Sequence, residues 1–121
     1  FHSHKTKSLG WRVLPLQKVW CMLEDNKARI VEALHDDLHK HELESLSVDV
    51  CGIQTACLYT FKNLKAWTSD NKPSRLRAVN FFGRSRVREE PNGLDLILSA
   101  WNYLFMELFE PMMCAIAAGY R

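Results

Sequence analysis

Leu94-Asp95-Leu96-Ile97-Leu98-Ser99-Ala100-Trp101-Asn102-Tyr103, followed by Pro111-Met112-Met113-Cys114-Ala115-Ile116-Ala117-Ala118-Gly119, is the stretch on which the fold turns. Leu94 to Leu98 reads as a short, mostly apolar strand. Tyr103 to Ala118 reads as a helix interrupted in pattern by Pro111. A single apolar strand leaves both edges open unless another strand or another chain pairs with it. Self-association, with a dimer favoured, is therefore the expectation.

Upstream the period is helical. Val13, Leu16, Trp20 and Leu23 recur at spacings of three and four and predict a first helix over 14–24, with Pro15 in its first turn. Asp25 or Asn26 is the expected oxygen capping a second helix. Its inward face would be Ile30, Val31, Leu34 and Leu38, and His39, Lys40 and His41 would stand at its positively charged end. Leu43, Leu46, Val50, Ile53, Cys57, Phe61, Leu64 and Trp67 extend the rhythm over 42–68, a helix of about 40 Å. Residues 1–10 read as a polar, loosely held arm.

After Pro73 the pattern alternates. Arg75, Arg77, Arg84, Arg86 and Arg88 with Gly83 between them predict a basic hairpin over 73–91. The fold class expected is thus α+β and predominantly α: three N-terminal helices, a β-hairpin, one further short strand and a C-terminal helix. The chain reads as one domain over 1–121, with a helical part at 1–72, the hairpin at 73–91 and a strand–helix unit at 92–121.

Composition bounds the function. Of 121 residues, 47% are apolar and 25% charged, which suits a folded globular chain rather than a disordered one. A net charge of +2 is too small to imply a polyanionic partner, so no nucleic acid is expected. No apolar run is long enough to span a bilayer, and a cytoplasmic protein is the expectation. Cys21, Cys51, Cys57 and Cys114 form no Cys-x-x-Cys pair, and three lie at apolar helical positions, so reduced core thiols are expected. His35 and His39 share a helical face, but no third ligand is fixed nearby, and no metal is expected.

The residues quoted first resemble the start of the cofactor domain of an aldehyde dehydrogenase. Phe1 to Arg12, Leu23-Glu24-Asp25-Asn26, Asp37-Leu38-His39-Lys40 and Lys62-Asn63-Leu64-Lys65-Ala66-Trp67 are similar to the N-terminal helices of members that handle fatty or aromatic aldehydes. Asn80-Phe81-Phe82-Gly83 and Arg88-Glu89-Glu90-Pro91 are similar to the hairpin that follows. The resemblance implies that Asn102 stands where the family's asparagine donates to the thiohemiacetal oxygen, a form of oxyanion stabilisation. It also implies that the nucleophilic cysteine, the general-base glutamate and most of the cofactor site lie beyond Arg121. No cofactor is expected, and NAD-dependent aldehyde oxidation by this chain alone is not.

Departures from the family pattern suggest a new role. Asp95 interrupts Leu94 and Leu96, where a buried carboxylate would cost several kcal/mol unless paired or exposed. Leu104 replaces a proline, and Glu107 and Glu110 stand among Phe105, Met106, Leu108 and Phe109. Glu107 and Glu110 share a helical face, and their repulsion would suit one of them to general-acid work. The plain alternative is that these positions simply face water. The expectation is a dehydrogenase-derived protein repurposed for a small-molecule biosynthetic role of cyclase, isomerase or hydrolase type. Its catalytic residues would be Asp95, Asn102, Glu107 and Glu110, with Trp101 and Tyr103 binding a small-molecule ligand. The alternatives are a noncatalytic regulatory or structural partner of a full-length aldehyde dehydrogenase, or an inactive fragment.

Overall fold

A computed structural model describes residues 5–71 and 86–120. After a 3-10 turn at Lys5–Lys7 come α1 (Leu9–Asp25) and α2 (Lys27–Leu38). A third helical run begins as α3 (Glu42–Glu44), widens into a π-helical segment (Ser45–Gly52) and continues as α4 (Ile53–Trp67). The last element is α5 (Leu104–Ala118). α1, α4 and α5 pack on one another, and α2 lies against the π-helical segment. Leu16, Leu23, Leu34, Ile53, Leu64 and Met113 fill the centre.

The α+β expectation is overturned: among the described residues there is no strand and no hairpin. Leu94 to Leu98 is mostly apolar but forms no backbone ladder among the described residues, which offer it no neighbouring strand. Of the expected hairpin, residues 72–85 lie outside the described residues, and 86–91 are irregular. What joins its two ends is one antiparallel bridge, Asn71 to Val87, with N–H···O distances of 2.9 and 2.8 Å.

The helices also differ in detail. α1 starts five residues before the expected 14, because the Ser8 side chain accepts from Trp11 N–H at 3.2 Å and opens the helix inside the supposed arm. Pro15 consequently lies within α1 rather than in its first turn. Neither expected oxygen caps α2: the Asn26 amide instead donates to Met22 O at 2.8 Å, and its oxygen accepts from Arg29. The long run over 42–67 is helical as expected, yet Leu43, Phe61 and Trp67 face solvent rather than the core. Of the cysteines only Cys57 is buried; Cys21, Cys51 and Cys114 are exposed and all four are free thiols. Burial pushes the Cys57 thiol up to about 11, so it stays protonated and behaves as an apolar filler against Met113.

Three charged residues sit inside this packing, Arg12, Lys40 and Asp49. Arg12 is 7% exposed, and its guanidinium donates to three carbonyls: Thr6 O at 3.0 Å, Lys7 O at 3.0 Å and Ala117 O at 2.9 Å. It thereby sews the N-terminal turn to the end of α5. There Gly119 takes a φ of +88°, a conformation open to glycine at little cost, and its N–H returns to the last turn of α5. The other two, Lys40 and Asp49, pair with each other.

An ion cluster closes the far end of α4. Asp70 accepts from Arg88 Nε at 2.9 Å and from Arg86 Nη1 at 3.3 Å, and these arginines hold its carboxyl below the usual carboxylate range. A carboxyl whose pKa is lower folded than unfolded contributes stability that is full above its unfolded pKa and lost as pH falls through the folded one. Acid titration from pH 5 downward should therefore loosen the Asn71–Val87 bridge. Asp70→Asn should abolish that part of the acid response, as read by amide exchange at Asn71 and Val87.

Candidate docking surface

The extended stretch from Leu94 to Trp101 is held at its two ends and open between them. At one end Pro91 is buried and Lys7 Nζ pairs with Glu90 at 3.1 Å. At the other, Ala100 N–H donates to Glu107 Oε2 at 3.0 Å, so a side chain from the first turns of α5 anchors the backbone that enters it. Between these ties Leu94, Leu96, Leu98 and Trp101 are 78%, 84%, 86% and 80% exposed. Ile97 is the half-buried member of the run. Isolated exposed leucines are ordinary, but three in alternate register with a tryptophan make a contiguous apolar feature.

The expected site residues lie on this stretch, on the turn that follows it and on α5. Asp95 and Asn102 are exposed, and Trp101 is among the most exposed side chains described. Glu107 is engaged with Ala100 N–H. Glu110 lies one turn further and lines a separate groove of about 630 Å³ with Tyr59, Trp67, Glu89 and Met113. None of Asp95, Trp101, Asn102 or Tyr103 lines that groove. Among the described residues no group of three His, Cys, Asp or Glu side chains could hold a metal ion; His35 and His39 merely stack edge to face at 5.9 Å. No helix among the described residues is long and apolar enough to cross a membrane.

Tyr103 leads instead to residues the sequence did not single out. His39 ends α2 in the left-handed region at φ 50°, and Lys40 N–H returns to Leu34 O at 3.4 Å. This reversal turns Lys40 inward. Its ammonium reaches Asp49 Oδ2 at 2.6 Å, with the two side chains 6% and 0% exposed, and stands 4.3 Å from the Tyr103 ring centroid. Asp49 had one legible signal: an acid placed between Leu46, Val50 and Ile53 falls on a face that the helical period assigns to the core. Lys40 had none, because a lysine after a helix end normally faces water.

Fold and surface together define a helical module carrying an uncovered apolar extension. No family model matches the chain. It is 35% identical over 119 residues to aldehyde dehydrogenase family 3 member I1, chloroplastic, of Arabidopsis thaliana, a match covering 98% of this chain and 22% of that protein. Beta-apo-4'-carotenal oxygenase of Neurospora crassa is likewise 35% identical, over 98% of this chain and 22% of its own length. Family 3 member B1 of Homo sapiens is 34% identical, with 98% and 25% covered. The substrate-bound state of Staphylococcus aureus AldH superposes with a TM-score of 0.94 at 31% identity, over 99% of this chain and 26% of that one. The chain is homologous to aldehyde dehydrogenase family proteins. It spans about a quarter of the length of the relatives it matches.

Proposed function

We propose that this chain is a noncatalytic structural or regulatory element that docks on a longer aldehyde-dehydrogenase-type polypeptide through Leu94 to Trp101. The observation that carries the reading is the exposure of Leu94, Leu96, Leu98 and Trp101 on backbone without ladder hydrogen bonds among the described residues. Segments of this kind add a strand to a sheet edge: the main chain supplies affinity and alternate side chains supply specificity. The choice of partner is supported by the solved relative, in which a nearly identical backbone is one quarter of a much longer chain. Burying each large apolar side chain is worth about 1.5–3 kcal/mol, enough in sum to offset part of the cost of association. A repurposed small-molecule site has narrower support: Glu110 lines the groove beside Tyr59 and Trp67, and Asp95 and Glu107 do not line that groove.

Native mass spectrometry of the chain mixed with a full-length family 3 aldehyde dehydrogenase tests the reading. A mixed assembly is expected, and Leu96→Lys with Leu98→Lys should weaken it at least 100-fold. Failure of the unsubstituted chain to join the dehydrogenase, whether it stays monomeric or pairs with itself, overturns the proposal.

A further inference from the structure

We infer that Lys40 is a positioning residue, a pinned cation that fixes the turn from Trp101 to Tyr103 and so sets where the apolar extension is presented. The pin comes from Asp49. This side chain is completely buried in the π-helical segment, and its second oxygen, Oδ1, has no hydrogen-bond partner among the described residues; the nearby Ser45 hydroxyl is equally unpartnered. The charge of Asp49 is therefore compensated through Oδ2 and Lys40. Withdrawing the ammonium would leave a carboxylate buried alone, so Lys40 is not free to follow solvent as an ordinary lysine does.

A cation held in place becomes a platform. The Tyr103 ring lies with its centroid 4.3 Å from Lys40 Nζ, within the range where the ring's negative face attracts a cation. Tyr103 is the residue immediately before α5 and offers that helix no side-chain cap, so its ring is turned to Lys40 rather than to its own helix end. The other described ties on this turn, Ala100 N–H to Glu107 Oε2 and Glu107 N–H to Tyr103 O, are internal to the turn and α5. Lys40 relates the turn to α2 and the π-helical segment through the Tyr103 ring, beside the packing of α5 itself on that segment. That Lys40 thereby tunes docking rests on the function proposed above; that it positions the turn does not.

Tyr103→Leu removes the ring while leaving the buried pair intact, and Tyr103→Phe keeps the ring face and removes only the hydroxyl. Hydrogen–deuterium exchange on the whole chain reads the turn at Ala100 and Glu107, whose amides are both hydrogen-bonded there. With Tyr103→Leu these two amides should exchange roughly 3–10-fold faster, while core amides of α1 and α4 change less than twofold. Tyr103→Phe should stay within twofold of the unsubstituted chain. Equal exchange in all three proteins, or Phe as fast as Leu, overturns the positioning role. The same variants are then titrated against the dehydrogenase, where Tyr103→Leu should bind 3–10-fold more weakly. If the unsubstituted chain does not bind, the docking reading fails, and the exchange data still decide the role of Lys40.

Discussion

Asp49→Ala should destabilise the chain by about 3–5 kcal/mol, because it strands the Lys40 ammonium in the interior without its counter-charge. For a chain of this size that is a fall in Tm on the order of 10–20 °C. The expectation follows from burial rather than from the short distance alone. A surface pair at 2.6 Å would be worth less than 1 kcal/mol, since water would solvate whichever partner remained. Here Asp49 is 0% exposed and Lys40 6%, and the anion left beside the ammonium is the half-exposed Glu44 at 3.9 Å, which replaces only part of the buried 2.6 Å contact. Replacing both partners separates the value of the pair from the penalty of breaking it. Lys40→Met with Asp49→Leu should recover most of the loss, because two apolar groups of similar volume carry no desolvation cost. Thermal and urea unfolding followed by circular dichroism measure both variants. An Asp49→Ala protein within 1 kcal/mol of the parent would mean that Lys40 reaches solvent.

The second large effect concerns Arg12 and Gly119, which form one joint. Gly119→Ala should cost about 3 kcal/mol, more than the loss of glycine's backbone freedom explains. A Cβ at Gly119 would stand 2.6 Å from Arg12 Nη2 and 2.8 Å from Cζ. A flexible surface arginine would swing away. This one is held by three carbonyls, and burial already works against its charge, lowering the guanidinium's pKa. Moving it would break the hydrogen bonds to the Thr6, Lys7 and Ala117 oxygens, two of them buried. Arg12→Met should cost a similar amount for the same reason. The two substitutions combined should fall well short of the sum, since each disables the same joint. A double-mutant cycle from urea denaturation gives the coupling, and strict additivity would show that the joint is not one unit.

Both joints were invisible in the sequence, and the reason is physical. Periodicity reports which residues share a face, so it located α2, α4 and α5 through Ile30, Leu34, Val50, Ile53, Leu64 and Met113. It does not report which charged residue will be swallowed by packing: Arg12, between Trp11 and Val13, and Lys40, between two histidines, acquire partners 105 and 9 positions away. The start of α1 was misread because the Ser8 cap sits within a basic stretch that resembles an arm. The strand expected at Leu94 to Leu98 was misread for a different reason. Its alternation is genuine, but a strand is a pairing, and the described residues supply no second member. Of the six side chains expected to form a site, only Tyr103 proved to be tied into the core, and by its ring face rather than its hydroxyl.

The π-helical segment changes the phase of the helix that carries it. Each of its turns takes up more residues than an α turn does, so positions downstream of Gly52 are rotated relative to those upstream. Leu43, which a straight helix would align with Val50 and Ile53, is 70% exposed, whereas those two are completely buried. Removing one residue between Ser45 and Gly52 would let the whole run wind as a single α-helix. Seven residues wound at about 100° each turn the chain nearly as far as the eight wound more loosely here, so Cys57 and Leu64 would keep facing α1 and α5, whereas the same deletion inside α4 would turn everything after it by about 100°. The π-helical segment is thus the part of this long helix that can absorb a one-residue change in length, and the same deletion would have different orders of effect inside it and inside α4.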